Sequence, residues 1–200
     1  MTDPRNALEN FYDEIKDCQR CTLAASRTHV GFGSGNPEAE VMFVGEAPGY
    51  YEDREGKPFV GAAGQLLDSL LEEIGLRRED VSIANVLKCR PPKNRNPQPD
   101  EIESCKPYLY RQIEIVQPRV TCTLGNFATQ LLLGKKVGIT KGRDQHFQGP
   151  NFFIFPMLHP AAALHQERFR KAVREDFHNL RVFLDQGLQP APAQEQMPLL

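Results

Sequence analysis

Three polar segments contain the side chains of this chain that could carry out chemistry. Glu46 lies in GEAPG, Asn85 lies in VSIANVLKC, and His159 lies in LHPAAAL. A carboxylate, a carboxamide and an imidazole are hydrogen-bonding and acid–base groups. Each segment alone is weak evidence, because a Gly-Pro turn or a single histidine usually has a structural role. Their meaning depends on whether the fold brings them together.

Five cysteines favour metal or redox chemistry. They stand at positions 18, 21, 89, 105 and 122, an odd count. The N-terminal stretch is acidic and amphipathic and lacks the basic flank and apolar run of a secretory signal, which favours a cytoplasmic location. A disulfide framework is not expected in that compartment, so metal binding or redox activity is the better interpretation.

The charge distribution is uneven although the net charge is only −2. Residues 88–144 include eleven Lys or Arg and five Asp or Glu, which makes this segment +6 and the rest of the chain −8. A basic face of this kind fits salt-sensitive contact with phosphates, and a solvated surface is the equally good alternative. No apolar run approaches the ~20 residues of a membrane span.

The elements that position the polar segments are predicted from periodicity. The runs VMFVG, VSIANVLKC, RVTCTLG and FFIFPM have strand length, and helical spacing predicts helices over 4–17, 61–76, 100–116, 126–134 and 166–185. The segments 28–40 and 89–99 are predicted loops, and 135–151 is a predicted hairpin or loop. We expect one domain over residues 1–187 and a disordered tail over 188–200.

The alternation of strands and helices predicts an α/β fold of three layers. Its central sheet should have four strands, mainly parallel, with helices on both faces. Ligands of such sheets bind at the carboxyl ends of the strands. GEAPG and LHPAAAL follow two of the strands and Asn85 lies in a third, so all three segments should meet at one crevice.

Five segments in a fixed order identify a family that the chain resembles. They are GEAPG at 45–49, EDREGKPFVGAAGQLL at 52–67, NVLKCRPPKNRNP at 85–97, LGNFA at 124–128 and HPAAAL at 159–164. In these the chain resembles the family 4 uracil-DNA glycosylases, the thermostable bacterial and archaeal type with a [4Fe–4S] cluster. The resemblance extends from about Cys18 to Leu184. It implies a uracil-DNA-glycosylase-like fold.

The activity implied by this resemblance is base excision repair of DNA. A monomeric enzyme would flip uracil out of single- or double-stranded DNA, hydrolyse the N-glycosidic bond and leave an abasic site. The other interpretations are a non-catalytic iron–sulfur or zinc DNA-binding protein of the same fold, a relative that traps the abasic product, and a glycosylase for other deaminated bases. The product-trapping type carries an inserted basic loop, which is absent here, and a residue other than Ala47 after the glutamate.

Four cysteines match the cluster ligands of the family. Their spacing, C-x2-C followed far along the chain by two more, suits zinc or iron equally well. The resemblance selects a [4Fe–4S] cluster with a structural role, and it leaves Cys122 as a buried core thiol. The implied ligands are Cys18, Cys21, Cys89 and Cys105.

Uracil recognition is assigned by the resemblance to Phe59 and Asn85. Phe59 would stack on the base, a contact worth roughly 1–3 kcal/mol. The Asn85 amide would donate to uracil O4 and accept from N3–H, a pattern that cytosine reverses. Each residue has a plain alternative, since Phe59 could be a core residue and Asn85 could be satisfied by a turn. Glu52 is the expected barrier to the thymine methyl, because Gly49 stands where the related family 1 enzymes have a tyrosine.

Catalysis is assigned by the resemblance to His159 and Glu46. His159 would donate to uracil O2 as negative charge develops on the departing base. Glu46 would stabilise the sugar cation and position or activate water. Ala47 stands where the family 1 enzymes have a water-handling aspartate, so this role is expected to fall to Glu46.

DNA contacts are expected from the loop after Cys89 and from HPAAAL. Leu164 is the predicted apolar wedge for the hole that an extruded base leaves, and His165 follows where the family commonly has arginine. A solvated surface is the alternative for each predicted phosphate contact. These predicted contacts are Arg90, Lys93, Arg95, Lys141 and Arg143.

Overall fold

The computed structural model describes residues 3–134, 137–149 and 151–186. Its strands are β1 (Ser34–Gly35), β2 (Val41–Gly45), β3 (Ser82–Asn85), β4 (Val120–Leu124), β5 (Phe147–Gln148) and β6 (Phe153–Met157). Its helices are α1 (Pro4–Ile15), α2 (Tyr50–Glu55), α3 (Ala62–Glu73), α4 (Pro99–Val116), α5 (Asn126–Leu133), α6 (Ile139–Gly142), α7 (Pro160–His165) and α8 (Arg168–Asp185). The predicted tail lies outside the described residues.

The strands form one mixed sheet in the order β1-β3-β2-β4-β6-β5. The four inner strands are parallel, as predicted, while β1 and β5 add antiparallel edges. The prediction of four strands was therefore too low by two. The two extra strands have two residues each and no fully buried side chain, so no apolar run marks them in the sequence.

Two apolar layers cover the faces of the sheet. Val41 and Phe43 of β2 pack toward α3 and α8, where the rings of Phe43 and Phe177 are stacked with centroids 5.8 Å apart. Met42 and Val44 of the same strand pack toward α4 and α5. This alternation along one fully buried strand gives the three predicted layers.

The helix boundaries follow local signals. The Asp3 side chain accepts a hydrogen bond from the Arg5 amide and caps α1, which ends at Ile15, two residues before the predicted end. The predicted strand 81–89 ends at Asn85, because the chain then turns toward Cys89. The short helices α2, α6 and α7 are additions to the predicted elements. No helix in the described part of the chain is long and apolar enough to cross a membrane.

Candidate active site

A cavity of about 520 Å³ lies at the carboxyl ends of the parallel strands. β2, β3 and β6 end there, and the segments after β2 and β6 bring their polar side chains to its wall. All residues predicted to bind substrate line this one cavity: Glu46, Ala47, Glu52, Phe59, Asn85 and His159.

Phe59 is held in a backbone conformation that bulky residues rarely adopt. Its φ is +54°, and a Cβ at Gly64 would lie 1.7 Å from the Phe59 carbonyl oxygen, so only glycine fits there. The Glu52 carboxylate accepts hydrogen bonds from the amides of Val60 and Gly61 at 3.0 and 2.9 Å. These contacts fix the loop that carries the ring, which is 5% exposed.

Asn85 is the last residue of β3 and is 2% exposed. It lies beside Gly45 in the sheet, and a Cβ at Gly45 would come within 2.3 Å of Asn85 Oδ1 and 2.9 Å of the Phe59 ring. Gly45 thus leaves room for the amide and the ring together. Lys88 Nζ donates to the Asn85 backbone carbonyl at 2.8 Å and to Gln112 Oε1 at 2.5 Å. These two hydrogen bonds tie the end of β3 to α4.

His159 caps the N-terminus of α7 with its own side chain. Its Nδ1 accepts a hydrogen bond from the Ala161 amide at 3.1 Å, so in the neutral ring the proton sits on Nε2. Burial lowers the pKa of His159 to about 4, although the nearby Glu52 carboxylate acts in the opposite direction. The ring is stacked against Phe59 with centroids 5.4 Å apart. The burial and the hydrogen bond therefore favour a neutral imidazole that carries its proton on Nε2.

A buried ion pair supports the backbone just before His159. Asp176 of α8 is 1% exposed, and its Oδ2 accepts from the Leu158 amide at 2.7 Å. Its Oδ1 accepts from Arg143 Nε and Nη2 at 3.1 and 2.8 Å. Sequence reasoning missed Asp176. The available signal was an acid within the apolar stripe of α8, which also includes Val173, Phe177 and Leu180.

Glu46 lies in the turn after β2 and is half-buried. Burial raises the pKa of its carboxyl above the ordinary value. Its backbone carbonyl accepts from the Leu87 amide at 3.0 Å, which ties this turn to the chain after β3. Ala47 places only a methyl group at the cavity wall.

The predicted DNA-contacting residues separate into two groups. Lys93 and Lys141 are exposed, Arg90 is half-exposed, and Leu164 is 45% exposed at the end of α7. Arg95 and Arg143 are instead engaged with buried acids. Arg95 lines the cavity and donates to both oxygens of Glu101 at 3.0 and 2.6 Å.

Asn94 and His165, which the prediction did not assign to substrate, also line the cavity.

The cysteines of the predicted set surround a second, small cavity beneath the loop after β3. Cys18, Cys21, Cys89 and Cys105 all line it, together with apolar side chains of Ile15, Ala24 and Val30. Cys122 is fully buried in β4, apart from this group. The fold therefore brings the Cys18–Cys21 pair together with Cys89 and Cys105, which lie far along the sequence.

Hydrogen-bond donors approach three of these four sulfurs, which would stabilise the thiolate form of a ligand. The Lys88 amide lies 3.2 Å from Cys105 Sγ, and the Arg20 amide lies 3.4 Å from Cys18 Sγ. Arg27 Nη1 lies 3.6 Å from Cys89 Sγ. Within the described residues, no three His, Cys, Asp or Glu side chains are arranged to hold a single metal ion. The four thiols and the donors around them fit a thiolate-bound group.

Comparison with known proteins agrees with this geometry. The family model of the uracil DNA glycosylase superfamily matches residues 32–180. A type-4 uracil-DNA glycosylase of Sulfurisphaera tokodaii is 46% identical over 185 residues, which cover 88% of this chain and 84% of the relative. The type-4 enzyme of Saccharolobus solfataricus is 47% identical over 87% of this chain and 85% of the relative. The type-4 enzyme of Thermotoga maritima is 43% identical over 88% of this chain and 94% of the relative. The chain therefore belongs to the type-4 uracil-DNA glycosylases of this superfamily.

Proposed function

We propose that this chain excises uracil from DNA by hydrolysing the N-glycosidic bond and leaving an abasic site. The observation that carries the proposal is the meeting of Glu46, Phe59, Asn85 and His159 at one cavity. A base within a duplex is inaccessible, so the nucleotide must leave the stack to enter such a cavity. The family membership of the chain supports the same activity.

Base recognition is proposed to rest on Phe59 and Asn85. The Phe59 ring provides a stacking surface, and its unusual backbone is maintained by Gly64 and Glu52. The buried Asn85 amide donates to uracil O4 and accepts from N3–H. Cytosine would leave both of these groups unmatched, which can reduce the rate by about 10⁴ in favourable cases.

Exclusion of thymine is assigned to Glu52. Its Oε2 lies 2.7 Å from the position that a Cβ at Gly49 would occupy, so the carboxylate fills the space beside this glycine. Its other oxygen is fixed by the amides of Val60 and Gly61. A carboxylate held in this way is a fixed obstacle to an added methyl group.

The chemical step requires a donor for the leaving base and an acceptor for a water proton. The C1′–N1 bond breaks and its electron pair leaves on uracil, whose O2 accepts a hydrogen bond from His159 Nε2–H. A water oxygen bonds to C1′ and releases a proton to the Glu46 carboxylate. Burial helps both groups, because it keeps His159 neutral and makes Glu46 a stronger base.

DNA contact is assigned to the exposed residues around the cavity. Arg90 and Lys93 are available for phosphates, and the exposed Leu164 is the candidate wedge. Arg95 is engaged with Glu101 and lines the cavity, so its role would be to fix the loop and to present a positioned cation.

An iron–sulfur cluster is proposed as the group held by the four clustered cysteines. When bound, a [4Fe–4S] cluster supplies a rigid covalent link between its ligands. Here that link would join the end of α1 to α4 and to the loop carrying Arg90 and Lys93. The convergence of four thiols at one cavity and the donors around them support a thiolate-bound group, and the resemblance to the family 4 enzymes favours a cluster over a single zinc ion.

The test is release of abasic sites from an oligonucleotide with one uracil. The purified protein is incubated with labelled single- and double-stranded substrates, and alkali then cleaves at abasic sites. We expect cleavage at uracil and none with a matched thymine strand. Absence of alkali-labile sites, with DNA binding intact, would favour a non-catalytic DNA-binding protein.

A further inference from the structure

Two adjacent tyrosines at the start of α2 are exposed to solvent. Tyr50 is 46% exposed and Tyr51 is 60% exposed. Their rings are perpendicular, with centroids 5.3 Å apart and an interplanar angle of 82°. Neither ring belongs to the apolar clusters of the fold. Large exposed aromatic surface is typical of an interaction site.

The pair lies beside the uracil cavity. Gly49 and Glu52, on either side of the pair in the sequence, both line that cavity. A Cβ at Gly61 would lie 3.6 Å from Tyr51 Cδ2, and Gly61 donates its amide to Glu52. Tyr51 is therefore close to the loop that holds Phe59.

Two arginines hold the Tyr50 ring. The Arg90 guanidinium lies 5.1 Å from the ring centroid, and Arg90 Nε donates to Asn94 Oδ1 at 2.7 Å. The Arg54 guanidinium lies 5.6 Å from the same centroid, and Arg54 donates to the Tyr50 hydroxyl at 2.9 Å. Two cations thus contact Tyr50, and Tyr51 packs against its ring with a larger exposed surface.

We propose that Tyr50, Tyr51, Arg54 and Arg90 form a tyrosine platform that binds an unpaired nucleotide next to the extruded uracil. Tyr51 is the stacking ring, Tyr50 is its support, and the arginines attract phosphates. The partner is single-stranded DNA, because a paired base already has both faces stacked and has none to offer to Tyr51. The assignment rests on the proposed function only for the location of the uracil.

Binding to a strand without uracil tests the platform independently of excision. Anisotropy of a labelled oligothymidylate and of a blunt duplex is measured with the wild type, Tyr51→Ala and Tyr51→Phe. Loss of one stacked base predicts single-strand affinity about tenfold lower for Tyr51→Ala. Tyr51→Phe should stay close to the wild type. The matched control is Tyr12→Ala, since Tyr12 is exposed but lines a different cavity.

Salt dependence separates the ring from the cations. Tyr51→Ala should leave the slope of log affinity against log salt unchanged, whereas Arg90→Ala should reduce it by roughly 0.7 on single strands. The proposal is overturned if Tyr51→Ala binds the strand like the wild type, or if it weakens the duplex equally. It is also overturned if the wild type does not bind oligothymidylate. Failure of uracil excision alone would count against the proposed function and leave these results valid.

Discussion

His159 and Asn85 occupy the cavity for different reasons, and the chain fixes them differently. His159 is oriented by the Ala161 amide, which sets the tautomer of its ring. Asn85 is oriented by its place at the end of a buried strand beside Gly45. His159 is suited to donate to negative charge that develops on the departing base, and Asn85 is suited to recognise the edge of a bound base.

Removal of the His159 donor should slow the chemical step. For His159→Ala we expect the excision rate to fall by roughly 10²–10³, with little change in DNA affinity, because the donor acts mainly in the transition state. Single-turnover excision and an equilibrium binding assay measure the two effects. A variant that cuts uracil at the wild-type rate would remove His159 from the mechanism.

The acid side of the pH–rate profile should belong to Glu46. Its carboxylate is the active form, so activity is lost as the pH falls through its pKa, which burial raises above the ordinary range of a glutamate. His159 stays neutral down to about pH 4 and should contribute little to this limb. Glu46→Gln should be slow and should lose this acid limb, whereas Glu55→Gln, at an exposed position of α2, should keep it. A Glu46→Gln profile that retains the wild-type limb would argue against this assignment.

At the scale of secondary structure, the parallel sheet brings the ends of β2, β3 and β6 to one cavity, and α8 supports the segment that follows β6. Most of this arrangement could be predicted from sequence, because four apolar runs alternate with amphipathic helices and the polar segments come at strand ends. The two-residue strands β1 and β5 could not be predicted from the sequence, because they have no apolar periodicity. The support of Leu158 by Asp176 depends on a contact between residues 18 positions apart, and an acid in the apolar stripe of α8 does not by itself indicate its partner.

Asp176 should position the segment that carries His159. In Asp176→Asn one amide oxygen can accept from Leu158 or from Arg143, but not from both, so a buried donor is left without its partner. We expect unfolding free energy to fall by about 1–3 kcal/mol and kcat to fall by more than KM changes. The control is Asp185→Asn on the same helix, whose exposed pair with Arg181 should contribute much less to stability because solvent screens it.

A kcat at the wild-type level in Asp176→Asn would show that the ion pair serves only the fold. Arg143→Lys gives a second measurement, because a lysine keeps the charge but not the two-point contact with Asp176 Oδ1. It should lie between the wild type and Asp176→Asn in kcat. Arg143 is therefore expected to act through Asp176 and not as the phosphate contact that sequence suggested.

At the scale of the whole molecule, one short loop connects the candidate active site with the cysteine cavity. The chain leaves the candidate active site at Asn85, reaches Cys89 four residues later, and returns to the first cavity at Pro91, Asn94 and Arg95. The cysteine cavity is thus the anchor of the loop that presents Arg90 and Lys93. The family resemblance identified the four cysteines from the sequence, whereas only the structure shows that they line one cavity.

Metal content should depend on the four clustered cysteines. Protein isolated without oxygen is expected to be brown and to contain about four irons. Cys105→Ser should lose iron and the visible absorption, while Cys122→Ser should keep both, because Cys122 is buried in β4. Stoichiometric zinc without iron would contradict the proposed cluster, and loss of iron in Cys122→Ser would show that the ligand set is wrong.

Release of the free base under single-turnover conditions tests the central claim most directly. Oligonucleotides that differ only in one uracil, cytosine or thymine are incubated with the wild type and with Asn85→Asp, and the released bases are separated and quantified. The wild type should release uracil alone. Asn85→Asp should release much less uracil and a trace of cytosine, because a carboxylate can accept from the cytosine amino group but cannot donate to O4. A wild type that releases no uracil, or that releases cytosine equally well, would contradict the account.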